Sequence, residues 1–370
     1  MKVLVLAGFS QSLINFRKEL LSRMVYNGHE VIAVGPENDC AEELRNMGIK
    51  FIQLKFDRLA VNPIKDVKFT IELIKIMNEE KPDIYFGYTI KPVIYGSIAA
   101  CLSGIKNRFA MVTGLGSVFI EGESKRHYIK YIVKILYKMG FSASNYIFFQ
   151  NKDDILEFTN MKLIPKEKCL LVNGSGVNLE YYSPQPMQNE NIFLFVGSLM
   201  GDKGIHEYIN AAAIVKKKYE NTRFWIVGPM DRRLTSMSES KLNSFVEEGI
   251  VEYFGSTNDV RPFYKQCRFY VLPSYREGTP RSVLEAMATG RPIITTDAPG
   301  CKETVENNIN GFLVPVRNVD ILADKMIWLI RHPEEAECMG RESLKIAISK
   351  YDVNKINKYM LKIMKLENME

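Results

Sequence analysis

Two carboxylates, Glu277 and Glu285, stand in a run that joins an apolar strand to a helix: Leu272-Pro-Ser-Tyr-Arg-Glu-Gly-Thr-Pro-Arg-Ser-Val-Leu-Glu285. Carboxylates accept hydrogen bonds from sugar hydroxyls, and the first N–H groups of a helix attract an anion such as a diphosphate. A loop with both can hold a phosphorylated polyol. The same two residues also fit a solvated turn and a wet helix face, and spacing alone leaves both readings open. The elements that must position them are legible. Phe269 to Leu272 is short, apolar and aromatic-rich, as a strand buried on both faces of a parallel sheet would be. Gly278 and Pro280 break regular structure, and Ser282 to Thr289 carries Val283, Leu284, Ala286, Met287 and Ala288 at helical spacing. In open α/β sheets, ligands bind outside the carboxyl ends of the strands, where this loop would lie.

Further residues could serve the same chemistry. Lys203 ends the loop Gly197-Ser-Leu-Met-Gly-Asp-Lys-Gly204, between a strand at 192–196 and a helix at 205–218, where a cation can neutralise a diphosphate. At the N-terminus, a strand from Lys2 to Ala7 leads through Gly8-Phe-Ser-Gln-Ser-Leu-Ile-Asn15 into a helix with Phe16, Leu20, Leu21 and Met24 on its apolar face. The dinucleotide fingerprint Gly-x-Gly-x-x-Gly is absent, which weighs against a dehydrogenase. Arg17 reads either as a phosphate contact or as a helix-surface arginine. Thr113-Gly-Leu-Gly116 follows a strand and is either a close approach to ligand or an ordinary turn. Along the helix candidate 125–141, Arg126, Lys130, Lys134 and Lys138 form a ladder of cations four apart. That helix could rest on an anionic bilayer or pack on a core with a solvated basic side.

The chain has 370 residues, enough for two domains, with 46% hydrophobic and 25% charged residues, ordinary for a globular protein. Its formal charge of +6 comes wholly from residues 1–170. A basic half can attract nucleic acid, anionic lipid or a phosphorylated substrate. The N-terminal apolar run is too short for a signal peptide and no window is long and apolar enough to span a membrane, so a cytoplasmic protein is expected. Six scattered cysteines without a Cys-x-x-Cys pair, and four histidines, give neither zinc spacing nor a disulfide framework; the thiols read as reduced, mostly small core residues. Strands alternate with helices throughout: helix 63–80, strand 83–88, helix 92–103, strand 108–112, strand 145–149, helix 152–160 and strand 170–172. This is an α/β fold with parallel sheets. Pro184, Pro186 and polar Gln185 to Asn191 read as a linker, dividing the chain into 1–184 and 185–350, with a last amphipathic helix in 351–370.

The run from Glu277 to Glu285 continues as Ala286-Met-Ala-Thr-Gly-Arg-Pro-Ile-Ile-Thr-Thr296, and then as Pro299-Gly-Cys-Lys-Glu303 and Asn310-Gly-Phe-Leu-Val314. Together these closely resemble the retaining, nucleotide-sugar-dependent glycosyltransferases of family 4 (glycosyltransferase group 1), whose signature is Glu, seven residues, Glu, then Ala-Met, a Gly and a strand. Weaker likeness extends along the chain. Asn173-Gly-Ser-Gly-Val-Asn178 is similar to the family's inter-domain Asn-Gly-Val-Asp segment, with Asn178 in place of Asp. Gly255-Ser-Thr-Asn-Asp-Val260 resembles the loop that meets the nucleotide base. The family usually carries Gly-Arg-Leu before the Lys-Gly at 203–204; here Ser198 stands where the Arg is expected, a departure that bears on donor affinity and not on fold.

The resemblance implies the glycosyltransferase B fold, two Rossmann-like domains facing each other across a cleft, with the last helix crossing back onto the first. It implies that Glu285 binds ribose hydroxyls, that Glu277 binds the transferred sugar, and that Lys203 with the backbone around Gly278, Thr279, Pro280 and Arg281 holds the diphosphate, with Ser198, Gly255 and Gly8 also at the donor. Stabilising the anionic leaving group is then the main catalytic task. The implied mechanism is front-face, with the donor phosphate taking the acceptor proton, without metal or cofactor; no Asp-x-Asp motif occurs. Ser12-Leu-Ile-Asn-Phe-Arg17, Tyr88-Thr-Ile-Lys-Pro92, Thr113 to Gly116 and Glu277 to Ser282 look most like bacterial transferases that extend a sugar on undecaprenyl diphosphate in O-antigen or capsule synthesis. The expected donor is a UDP-N-acetylhexosamine, UDP-GalNAc first among them. Arg17, Lys91, Arg126, Lys130 and Lys134 would face the lipid-linked acceptor or an anionic membrane surface, at the inner face of the cell membrane, with no nucleic acid as partner. A nucleotide-sugar 2-epimerase and a non-catalytic sugar- or lipid-binding module share the architecture and remain rivals.

Overall fold

A computed structural model describes residues 1–58, 62–114, 127–231 and 236–367, with only the backbone of 127–130. The chain forms two compact units, Met1–Ser175 with Asn354–Glu370, and Gly176–Val353. The first is built on seven strands: β1 (Lys2–Ala7), β2 (Glu30–Gly35), β3 (Lys50–Gln53), β4 (Ile84–Tyr88), β5 (Asn107–Val112), β6 (Tyr146–Phe149) and β7 (Cys169–Leu171). Every pairing is parallel, in the order β3-β2-β1-β4-β5-β6-β7. The pleat sends alternate residues to opposite faces. Val3, Val5, Phe86 and Met111 point to one core with Leu20, Leu21 and Met24, while Leu4, Leu6 and Tyr85 point to another with Phe69, Leu73 and Ala99. Helix Val353–Met364 closes the first of these cores with Ile356, Met360, Leu361 and Met364. The carbonyl of Leu366 fixes its end by accepting a hydrogen bond from Asn27 Nδ2 at 2.9 Å.

The second unit holds β8 (Ile192–Val196), β9 (Arg223–Val227), β10 (Glu252–Tyr253), β11 (Phe269–Leu272), β12 (Ile293–Thr296) and β13 (Gly311–Val314), again all parallel, in the order β10-β9-β8-β11-β12-β13. In each sheet the strand order reverses once, beside β1 and β4 in the first and beside β8 and β11 in the second. The carboxyl ends of the strands at such switch points are where folds of this class bind ligands.

Several local expectations change. Residues 185–191 are not a free linker: Gln185 N–H bonds to the Thr289 carbonyl at 3.2 Å, and the Pro186 carbonyl accepts from Arg291 at 3.1 Å. The chain divides at Ser175–Gly176 and not at 184, because Val177 pairs with Asp352 and Tyr182 packs into the second core. The helix expected over 92–103 opens as a π-turn, Pro92–Gly96, before turning α over Ser97–Leu102. The Tyr85 hydroxyl donates to the Pro92 carbonyl at 2.7 Å and sits where a Cβ on Gly87 or Gly96 would be, so it takes an acceptor from the helical ladder and widens the turn. All six cysteines are free; Cys40, Cys267 and Cys301 are buried, but Cys101 and Cys338 are exposed, so only half are core residues.

Candidate functional site

At the switch point of the second unit, the loops after β8 and β11 are locked together. Gly204 has φ +74°, and a Cβ there would lie 2.2 Å from the Pro273 carbonyl oxygen, so only glycine lets the two loops close. The Tyr275 N–H donates to the Asp202 carbonyl at 2.9 Å. This brings Lys203 Nζ onto Glu277 Oε1 as an ion pair, and Ser274 Oγ donates to the same oxygen at 2.8 Å. A third loop, after β12, presses on the same residue: the Glu277 N–H bonds to the Pro299 carbonyl at 2.9 Å, and a Cβ on Gly300 would meet the Glu277 carbonyl oxygen at 2.1 Å. Glu277 is thus held from three strand ends, its carboxylate shared between a cation and a hydroxyl.

Helix Arg281–Ala288 starts just beyond, with Pro280 as its N-cap, no side-chain cap and no acidic residue in the first turn. The dipole at its start favours an anion. One turn in, Glu285 is buried, which removes the wet-face reading. Arg281 Nε donates to Oε1 at 3.0 Å and the Tyr264 hydroxyl lies 3.1 Å from Oε2; Tyr182 bonds to the same carboxylate. Burial raises the Glu285 pKa above its ordinary value, against the pull of Arg281 and the two tyrosines.

Ser198, in place of the family's arginine, donates to Met200 Sδ at 3.1 Å and turns within its own loop. Gly255 has φ +68° with open space around it, its carbonyl taking the Gly228 N–H at 2.8 Å. Arg261, just after the expected base-binding loop, forms a two-pronged pair with Asp259 at 2.8 and 2.7 Å and stacks 3.9 Å over Tyr181.

In the first unit, Gly8 lies at the β1–β4 switch point. A Cβ there would sit 2.1 Å from Thr89 Oγ1, and Thr89 itself takes φ +72°, a strained conformation for a β-branched residue. The Ser12 and Tyr88 hydroxyls bond at 2.9 Å beside it. The single helix expected here is two, Gln11–Asn15 and Lys18–Tyr26. The break at Phe16 exchanges the expected partners: Phe16 is 40% exposed, while Arg17 is 3% exposed, with its guanidinium 5.2 Å from the Tyr88 ring centroid and Nη2 2.7 Å from Met111 Sδ. Arg17 is therefore no surface arginine; it reaches the carboxyl ends of β4 and β5. Lys91 is buried in an ion pair with Asp66, whose other oxygen takes the Tyr95 hydroxyl at 3.1 Å, so it joins two helices and faces no solvent. Lys134 is half-buried on helix His127–Ala143; Arg126, Leu115, Gly116 and the Lys130 side chain lie outside the described residues.

Sequence reasoning missed Ser274, Tyr264, Tyr182 and Gly300. Tyr264 is 21 residues from Glu285 on another helix and carries no local signal. Gly300 lies in the run that carries the resemblance, but its close approach to Glu277 is set by the fold.

The model for glycosyl transferases group 1 matches residues 183–345, and the glycosyl transferase 4-like model matches residues 2–151. A Campylobacter jejuni protein, N,N'-diacetylbacillosaminyl-diphospho-undecaprenol alpha-1,3-N-acetylgalactosaminyltransferase, is 28% identical over 98% of both chains. The Escherichia coli UDP-Gal:alpha-D-GlcNAc-diphosphoundecaprenol alpha-1,3-galactosyltransferase is 28% identical, covering 72% of this chain and 71% of its own. Among solved structures, HepE from Anabaena, crystallised with UDP, superposes with a TM-score of 0.79 at 16% identity, covering 99% of this chain and all of that one. Each model accounts for most of one unit, and with the fold shared with HepE they make the chain a glycosyltransferase of the glycosyltransferase B fold, its second unit matching group 1.

Proposed function

We propose that this enzyme moves an N-acetylhexosamine, GalNAc in α linkage before others, from a UDP-sugar to a sugar carried on undecaprenyl diphosphate, in O-antigen or capsule assembly. The observation that carries this reading is the Lys203–Glu277 pair, Glu277 standing just before the start of helix Arg281–Ala288, at the carboxyl ends of β8 and β11. A diphosphate at that helix start can take the Lys203 cation and free Glu277 to accept hydrogen bonds from the transferred sugar. Glu285, deeper in the same helix, accepts from the ribose. The second unit thus supplies the donor site and the first the acceptor contacts, Arg17 among them. The Campylobacter relative, similar along its whole length, supports the lipid diphosphate acceptor and the N-acetylhexosamine donor. Transfer needs no metal or resident cofactor, because Lys203 and helix N–H groups carry the leaving group's charge. The enzyme works at the anionic inner face of the cell membrane, where its acceptor is embedded.

The experiment is a panel of UDP- and GDP-sugars offered with a short-chain lipid diphosphate sugar, with and without chelator, read by mass spectrometry. The expected result is one UDP-HexNAc added to the lipid, unchanged by chelator. A free epimerised sugar with no glycoside formed would move the reading to a 2-epimerase, and loss of transfer on chelation would overturn metal independence.

Ser198 adds a directional expectation. Its side chain is spent on Met200, so the loop holds the diphosphate with one cation where the family usually has two. Ser198→Arg should tighten UDP binding about tenfold by calorimetry, the worth of one hydrogen bond to a charged group. An unchanged Kd would show that this loop does not face the diphosphate.

A further inference from the structure

Helix Pro63–Glu80 buries Phe69, Leu73 and Met77, as expected of an amphipathic helix on a sheet, yet its opposite side is not polar. Ile64, Val67 and Ile71 are 83%, 58% and 61% exposed and form one ridge at helical spacing. Helix His127–Ala143 repeats the pattern: Val133, Tyr137 and Phe141 face the core, whereas Tyr131, Ile132 and Ile135 are 67%, 44% and 44% exposed. Isolated exposed aliphatics are ordinary, but two such ridges on helices flanking one segment are not.

The two ridges lie at the same end of the same face. Both helices flank the Pro92–Leu102 segment on one side of the first sheet, and their core residues sit over alternate residues of that side. Asp66, in the first turn of helix Pro63–Glu80, is paired with Lys91, just past the carboxyl end of β4, which places Ile64 and Val67 at that edge. Ser144, just after helix His127–Ala143, bonds to Ser97 at 3.0 Å, and a Cβ on Gly140 would lie 2.6 Å from the Val93 carbonyl oxygen. At about 1.5 Å per residue, Tyr131 then stands about 13 Å beyond Gly140 in the direction of the same edge. This is the edge where a parallel α/β sheet receives its ligand.

Charge names the occupant. Helix His127–Ala143 carries Lys130, Lys134 and Lys138 and no acidic residue, and all the chain's excess positive charge lies in residues 1–170. On helix Pro63–Glu80 the exposed charges are more balanced, Lys68 being met by Glu72 at 3.8 Å, so that ridge contributes area and the other contributes cations as well. We propose that these two ridges are a single docking face for an anionic bilayer. Ile64, Val67, Ile71, Tyr131, Ile132 and Ile135 enter the boundary between headgroups and acyl chains, and Lys134 and Lys138 stay at headgroup level. The proposal rests on the lipid-linked acceptor and adds the surface by which the enzyme reaches it: a face of two helices, and not the cation ladder alone.

The test is co-sedimentation of the full chain with vesicles of mixed phosphatidylcholine and phosphatidylglycerol, and of phosphatidylcholine alone. Two double variants are compared with the parent, I64D/I71D and I132D/I135D, each first shown by thermal melting to be folded. The parent should bind the anionic vesicles and bind the neutral ones weakly. Each double variant should lose about tenfold in binding while keeping transfer to a short-chain acceptor in solution, as removal of two aliphatic anchors from an interfacial helix predicts. Unchanged binding by I64D/I71D would overturn the two-ridge face, and absence of vesicle binding by the parent would overturn membrane docking altogether. A concentration-dependent dimer without lipid, abolished by the same variants, would give the face to a second copy. Failure of the acceptor reading has a separate signature, vesicle binding without transfer to any lipid diphosphate sugar.

Discussion

Lys203→Ala should lower kcat by about a hundred- to a thousandfold with little change in melting temperature, the loss seen when one preorganised donor to a developing oxyanion is removed. The pair is partly buried, its side chains 28% and 12% accessible, but the Ser274 hydroxyl still donates to the Glu277 carboxylate and the backbone bonds Tyr275–Asp202 and Glu277–Pro299 still close the loops, so the fold survives the loss of the cation. In catalysis Lys203 is the only cation in residues 197–204, because Ser198 occupies the position of the family's arginine. The leaving diphosphate has no second side-chain cation on that loop to fall back on. Lys203→Arg should recover part of the rate, since charge survives while the reach changes.

The same pair makes a sharper statement through its partner. Glu277→Gln removes the carboxylate proposed to accept from the transferred sugar and also frees Lys203 from the contact it makes without donor. If the two act as one unit, the double variant should be about as slow as the slower single variant, and not slower by the product of the two. Multiplying effects in steady-state kinetics would mean that Lys203 and Glu277 serve separate steps, and the exchange of Lys203 from carboxylate to diphosphate would be wrong.

How much of this site could be read before the fold was seen depended on how local each feature was. Gly278, Pro280 and the helical spacing after Ser282 set the strand, loop and helix around Glu277, and the structure places β11 and helix Arg281–Ala288 within a residue of that reading. Lys203 was legible for the same reason, being next to a glycine that starts a helix. What could not be read was which side of an element meets which neighbour. Arg17 turns inward because the helix breaks at Phe16, and nothing in Asn15-Phe-Arg17 announces the break. Lys91 reads in sequence as a free cation, but Asp66, 25 residues earlier, pairs with it. Glu285 looked equally at home in water, since Tyr264 and Tyr182 reach it from elsewhere in the second unit. Long-range pairing of side chains leaves no periodic trace in the chain, whereas turns and amphipathic stripes do.

Glu285→Gln should weaken UDP binding about tenfold and yet raise the melting temperature at neutral pH. The first half follows from the proposed role of Glu285 as acceptor for ribose hydroxyls, worth one hydrogen bond to a charged group. The second half follows from proton linkage. Burial raises the folded-state pKa of Glu285 above its ordinary 4.5, so the folded protein holds this proton more tightly than the unfolded chain. Its contribution to stability is complete below the ordinary value and is lost as pH rises through the raised one, which leaves the ionised carboxylate a cost at neutral pH. The hydrogen bonds agree with this. The Tyr264 hydroxyl has one proton but lies 2.9 Å from the Ser282 carbonyl and 3.1 Å from Glu285 Oε2, so both contacts are satisfied together only when the carboxyl carries a proton of its own. Glutamine supplies a neutral group of the same shape. Melts across the acid-to-neutral range should show the parent losing stability with rising pH by an increment that the glutamine variant lacks. UDP, which needs the ionised form, should bind the parent more weakly as pH falls, with proton release visible in calorimetry in buffers of different ionisation enthalpy. A variant that melts lower than the parent at every pH would show instead that the ion pair with Arg281 outweighs the desolvation of Glu285, and that this carboxylate supports the fold as well as the donor.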